Sequence, residues 1–128
     1  MLEVNTSTVC WVIGQIREFQ AQEQVVIPQG ASGTADDWAL QILASHGDDL
    51  TYLEFKSVIA ELEPIQQAGL VALMWIGRGD YLPEEWASAL SDARASWTPR
   101  TADYLIATPL ACDYLEEGLE VLGQPCEQ

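Results

Sequence analysis

The stretch PIQQAGLVALMWIG at residues 64–77 decides the fold. Pro64 suits the first position of a helix, where its missing N–H costs nothing. From there Leu70, Val71, Leu73, Met74, Trp75 and Ile76 point in every direction around a helical axis, and a helix that is apolar on all sides belongs in the middle of a folded domain. Gly77 and Gly79 are expected to end it. The longest uncharged apolar run, Ala68 to Gly77, is about ten residues, far short of the ~20 that span a bilayer. A core helix is the reading, not a membrane span.

Working outward, the flanking segments carry the helical period that such a core requires. Before it, Asn5, Thr6 and Ser7 offer N-caps for a helix striped by Val9, Val12, Ile13, Ile16 and Phe19, ending near Gln24. Residues 25–33, VVIPQGASG, lack the period and hold Pro and two Gly, which predicts a flexible loop. Thr34 then caps a helix with Trp38, Ala39, Ile42 and His46 on one side, closed by Gly47. Asp48 or Asp49 caps the next, running to about Leu62 with Tyr52, Phe55, Ile59 and Leu62 in line.

After the central helix, Pro83 is expected to open a helix with Trp86, Leu90, Ala93 and Trp97 on one face. A local repeat follows, TPRTADYL at 98–105 and TPLACDYL at 108–115. Thr as N-cap and Pro at the first helical position make a good helix start used twice; one longer helix kinked at Pro109 is the alternative. The last helix sets Ala111, Leu115, Leu119 and Leu122 opposite Asp113, Glu116, Glu117 and Glu120, and Gly123 and Pro125 stop it. The result is a single all-α domain over residues 1–128, with six or seven short helices around the one at Pro64–Gly77 and a short disordered C-terminal tail.

Composition narrows the function classes. The 128 residues include 20 Asp plus Glu against 5 Lys plus Arg, a formal net charge of -15. Duplex binding gains affinity by neutralising phosphates with basic residues, so direct nucleic-acid binding is excluded as a reading, and so is a polybasic membrane dock. At 48 % hydrophobic and 20 % charged, the acidity sits on a folded scaffold rather than marking a disordered tract. Cys10, Cys112 and Cys126 are an odd set without CxxC spacing, which argues against a disulfide framework and against zinc. Cys10 and Cys112 read as core residues, and Cys126 as an exposed tail thiol. A reduced compartment is the simpler setting. The opening MLEVNTSTVCWVIGQIREF has no basic n-region, so no signal peptide is read there and a cytoplasmic location is expected.

Motifs for chemistry are few. Arg78-Gly79-Asp80 spells an adhesion triplet, but the turn between two helices explains it. Read as the second half of a calcium loop, the segment fails, because the first-half ligand positions fall on Met74, Ile76 and Arg78. The lone His46 lacks companions for a metal site, so neither metal nor cofactor is expected. The adjacent carboxylates Asp36/Asp37, Asp48/Asp49, Glu84/Glu85 and Glu116/Glu117 diverge on a helix and form no acid–base dyad. The scarce cations are more informative. Arg78 and Arg94 fall near helix C-termini, where the dipole favours them, whereas Arg100 falls at a helix start, where an acid or a bound anion should compensate it. A candidate anion or ligand site therefore comprises Arg78, Asp80, Glu84, Arg100, Asp103 and Tyr104, with Trp75 and Trp86 as walls.

The strings LVALMWIGRGDYLPEEW at 70–86, Ala93-Arg94, TPRTADYL at 98–105 and DYLEEGLEVLG at 113–123 resemble an uncharacterised bacterial family, domain of unknown function 3775. The resemblance runs over roughly residues 1 to 126, is strong from Leu70 onward, and is weak in the Gly/Pro loop and the second helix. It implies a small bacterial protein and brings no activity, cofactor or catalytic residue. Three function classes stay open. The first is an acidic interaction or regulatory module whose partner is a protein with a basic surface. The second is a small-ligand or anion-binding protein, or an enzyme, using the Arg78–Tyr104 set; the sequence leans away from catalysis. The third is an acidic mimic of nucleic acid.

Overall fold

A computed structural model of the chain describes residues 4–23 and 50–126. Within them run six α-helices and one 3-10 turn: α1 (Thr6–Glu23), α2 (Leu50–Glu61), α3 (Pro64–Arg78), the turn Pro83–Glu85, α4 (Trp86–Ala95), α5 (Thr101–Ala107) and α6 (Ala111–Val121). No strand occurs among the described residues, so the all-α class holds. The expected loop at 25–33, the helix opened by Thr34 with His46, and the caps at Asp48 and Asp49 lie outside the described residues.

The α3 helix takes the central place that its sequence demands. Gln67 through Met74 and Ile76 are buried, and α3 packs chiefly against α6 and α4, while α1 packs against α6 and α2, and α2 against α5. Its start is fixed as expected, with Pro64 in the first turn and the Gln66 side chain accepting from the Glu63 backbone N–H at 3.0 Å. Its end differs from expectation. Gly77 lies inside the helix, and only Gly79, at φ 94°, stops it, with the Gly79 and Asp80 amides both donating to the Trp75 carbonyl. Gly77 serves packing instead: a Cβ built there would lie 1.7 Å from the Tyr114 carbonyl oxygen of α6, and one built on Gly118 would lie 2.5 Å from the Leu73 carbonyl oxygen.

Helices α1 and α2 bury their expected stripes, whereas α4 buries Ala89 and Ala93 and leaves Trp86 and Leu90 half-covered. Val9, Val12, Ile16 and Phe19 of α1 are wholly buried, each worth ~1.5–3 kcal/mol over exposure, and Asn5 is the residue that caps the helix, accepting from the Ser7 amide at 2.8 Å. Tyr52, Phe55 and Ile59 do the same for α2. The Cys112 thiol is buried, donates to the Ile13 carbonyl oxygen at 3.3 Å, and is pushed up to about 11 by its burial, so it is an inert core group.

Three expectations about helix ends and cysteines are corrected. The helix opened by Pro83 begins as a 3-10 turn and stops at Ala95, because Ser96 turns its hydroxyl back onto the Asp92 carbonyl; Trp97 therefore sits beyond the helix. In the repeat, each helix starts three residues after its Thr. The residue before proline is driven extended, and Thr108, with ψ 120°, spends its hydroxyl on the Tyr104 carbonyl at 2.6 Å rather than capping forward. The two copies even differ in backbone hand, with Arg100 at φ -96° and Leu110 at φ 63°. Finally, Cys10 and Cys126 are bonded to each other, Cα to Cα 5.9 Å apart, although 116 positions separate them. Cys126 is thus no free tail thiol, and the end of α6 is tied to α1, with Thr6 donating to the Gln124 side chain at 2.9 Å.

One buried polar pair joins α2 to α5. The Tyr52 hydroxyl donates to an Asp103 carboxylate oxygen at 2.5 Å. Burial first, and the bond to Asp103 second, push the Tyr52 pKa well above the ordinary tyrosine value. The folded state therefore holds this proton more tightly than the unfolded chain does. The stability it contributes is intact below a pH of about 10 and declines as pH climbs toward the raised folded value. Tyr52→Phe is expected to flatten that alkaline decline in urea midpoints taken between pH 8 and pH 11. A decline unchanged in the variant would assign it to other groups.

Candidate functional site

Three segments meet at a cleft of about 330 Å³: the outward side of α3, the end of α4 with the residues after it, and the start of α5. Ala68, Val71 and Ala93 give it an apolar floor; Trp75, Trp97 and Tyr104 supply aromatic walls; Ser96, Thr98, Arg100 and Thr101 complete the lining. Positions 100 and 104 fall on one side of α5 because they are four apart, and the Tyr104 amide donates to the Arg100 carbonyl at 3.0 Å. Position 103 points elsewhere, which is why Asp103 faces Tyr52 in the core.

The aromatic walls are held in place. The Trp75 indole N–H donates to the Tyr104 hydroxyl oxygen at 3.0 Å, and the Trp75 ring stacks on Tyr81, centroids 6.0 Å apart at 17°. Tyr81 is itself fixed by donating to an Asp92 carboxylate. Across the α4–α5 connection, the Trp97 indole donates to the Gln67 side-chain oxygen at 2.9 Å, and the Gln67 amide donates to the Leu62 carbonyl at 3.0 Å. A polar side chain on an otherwise apolar helix thus has a purpose, since Gln67 is buried with both ends satisfied and anchors a tryptophan that is 37 % exposed. The connecting backbone is locked as well: Thr98 Oγ1 accepts from the Arg100 amide at 3.2 Å and the Thr101 hydroxyl donates to the Thr98 carbonyl at 3.0 Å.

The residues singled out from the sequence divide among several places. Arg78 donates to Asp80 from Nε at 2.8 Å and from Nη2 at 2.5 Å. Burial alone would pull the Arg78 pKa down; the hydrogen bond and charge of Asp80, with the nearby Tyr104 hydroxyl, outweigh that and hold it above its usual value. Arg78 and Asp80 satisfy each other at the edge of the Trp75–Tyr104 pair, so the triplet Arg78-Gly79-Asp80 is spent within its own turn. Arg100 and Tyr104 line the cleft itself. The Arg100 guanidinium makes no hydrogen bond or ion pair with another described residue. Asp103 is buried away from the cleft, and Glu84 stands exposed on the 3-10 turn, bonded to none of the others. Trp86 does not wall the cleft; it packs on the core, its indole N–H without a partner among the described residues. Arg94 is exposed in the last turn of α4.

Sequence reasoning missed Trp97 and Gln67 as site residues. The available signal was the lone glutamine facing inward on α3. Among the described residues, the cleft is lined by no carboxylate, imidazole or thiol, and no group of three or more His, Cys, Asp or Glu is placed to hold a metal ion. No described helix is long and apolar enough to cross a membrane. Chemically, the lining offers ring stacking, hydroxyls and one cation.

No curated protein and no solved structure matches the chain. The family described as protein of unknown function (DUF3775) matches residues 52–124, a span that takes in every residue lining the cleft and leaves out α1, Cys10 and Cys126. Since that match covers more than half of the sequence, the chain belongs to the DUF3775 family.

Proposed function

We propose that this protein is a small-molecule-binding domain whose site is the cleft between α3 and the α4–α5 connection. What supports the reading is that two tryptophans and a tyrosine are fixed around a concave apolar floor by hydrogen bonds that leave their rings at the surface of the cleft. Its volume of about 330 Å³ falls at the lower end of ligand pockets, and an apolar lining with a few placed polar groups is their usual chemistry. The role is binding rather than catalysis, because the lining supplies rings, hydroxyls and a guanidinium without a base. The remaining candidates, Arg78 and Asp80, would support the wall; Glu84 and Asp103 are assigned no contact with the ligand. In the cytoplasmic setting expected from the sequence, the Cys10–Cys126 bond would be open to reduction, and the cleft draws on neither cysteine.

The test is a fragment screen by ligand-observed NMR on the wild type and on Val71→Trp, which fills the floor. Hits are expected that compete with one another and are lost in the filled variant. Hits that persist in Val71→Trp would place binding elsewhere and end this reading.

A second reading keeps one observation on its side. With a net charge of -15, the protein would attract a partner with a basic surface, as an interaction module or as a mimic of nucleic acid. Such a complex would weaken steeply between 50 and 300 mM salt, which the cleft's apolar floor would not.

A further inference from the structure

We infer that the ligand of this cleft is a planar aromatic carboxylate, its ring against Trp75 and Trp97 and its carboxylate between the Arg100 guanidinium and the Tyr104 hydroxyl. The inference rests on the cleft reading above and goes on to fix the ligand's chemistry.

The argument comes from the hydrogen bonds that the cleft leaves open. Tyr104 accepts from Trp75 and has Arg78 close by, so its oxygen already faces donors. Its own O–H finds no acceptor among the described residues. Four residues earlier, and on the same cleft, the Arg100 guanidinium likewise has no acceptor among the described residues. The Ser96 and Thr101 hydroxyls are already donated to backbone carbonyls. What remains is a surplus of donors, one of them cationic, beside an apolar floor. The complement of that set is an anion with two acceptor oxygens in one plane, and a guanidinium with a neighbouring O–H matches a carboxylate.

The apolar side sets the rest of the ligand. Trp75 is backed by Tyr81 and Trp97 is tethered by Gln67, so both rings are held rigid and lose little freedom when a flat group stacks on them. The volume admits one or two fused rings. An acidic protein would repel a free anion at long range, but among the described residues the cleft lining itself carries no carboxylate and one cation, Arg100, so the local contact, not the overall charge, is what would hold an anion there.

The experiment follows the indole N–H signals of the five tryptophans in the ¹⁵N-labelled full chain, assigned with Trp75→Phe and Trp97→Phe. The probes are indole-3-acetate, its neutral amide, cationic tryptamine and inorganic phosphate. Indole-3-acetate is expected to shift the Trp75 and Trp97 signals saturably and to bind roughly tenfold more tightly than the amide, as a charge-assisted hydrogen bond provides. Arg100→Gln, a change at an exposed side chain, is expected to remove most of the acid's advantage over the amide. Equal binding of acid and amide in both proteins would overturn the carboxylate assignment while the cleft reading stood. Tighter binding of tryptamine would overturn it as well, and phosphate binding as tightly as the acid would remove the ring from it. If no organic probe moved either signal, the assignment and the cleft reading would fall together.

Discussion

Gly77→Ala is expected to destroy the native packing, although it adds a single methyl group. The new Cβ would lie 1.7 Å from the Tyr114 carbonyl oxygen, 2.6 Å from its carbon and 2.9 Å from the Gly118 amide nitrogen. All three are backbone atoms of α6, so no side chain can rotate away, and α3 and α6 must separate. Among the described residues theirs is the most extensive contact between two helices, and Leu70, Leu73, Leu115 and Leu119 are fully buried. Overpacking a well-packed core with side-chain atoms costs about 1–3 kcal/mol; a clash with backbone should exceed that and take much of a domain's ~5–15 kcal/mol. Gly118→Ala, 2.5 Å from the Leu73 carbonyl oxygen, should act in the same direction. Gly14→Ala is the control: nothing lies within 4 Å of its added methyl, and it sits mid-helix in α1, so it should gain roughly 0.5–1 kcal/mol. Urea unfolding followed by circular dichroism measures all three. A Gly77→Ala midpoint equal to wild type would mean that α3 and α6 do not touch as described.

The same glycine shows where the sequence stops being legible. Gly77 follows an apolar run and precedes Gly79, so local chemistry reads it as punctuation; its actual use depends on α6, 41 positions away at Gly118, and no local pattern reports that. The central helix, the stripes of α1 and α2 and the class of the fold were readable because each depends on periodicity within one segment. The cleft was half readable. Arg100 and Tyr104 stood out by charge and repeat, and Trp75 by position. Asp103 could not be separated from them, since only the angle around α5 turns it toward Tyr52. Trp97 was placed on a helix that ends before it, because the Ser96 hydroxyl competes for the backbone. The clearest miss is the cysteine pair. An odd count without close spacing gave no hint, whereas the packing of α1 on α6 brings Cys10 and Cys126 together.

That pair leads to the second large effect. Cys10→Ser, Cys126→Ser or reduction of the native protein is expected to lower stability by roughly 4–5 kcal/mol, from the loop-closure entropy of so long a ring. The bond joins positions 116 apart, so nearly the whole described chain lies inside the ring it closes. Besides the packing of α1 on α6 with the buried Cys112–Ile13 hydrogen bond, the two ends are joined by the Thr6–Gln124 hydrogen bond and the Arg17–Glu116 ion pair between exposed side chains, and such a surface pair adds little. The core should nonetheless survive, because Val9, Val12, Ile16 and Phe19 remain buried whether or not the sulfurs are joined. The reduced protein should therefore unfold at lower urea with its helicity intact beforehand. Cys112→Ala, which removes the buried thiol and leaves the bond, separates the two effects: its midpoint should still fall on adding reductant. A wild-type midpoint that ignores reductant would show that the bond contributes nothing to stability. Because the cleft is built from α3, α4, α5 and the α4–α5 connection, away from both sulfurs, ligand affinity in dilute buffer should be the same in both redox states, and only the urea concentration at which it is lost should change.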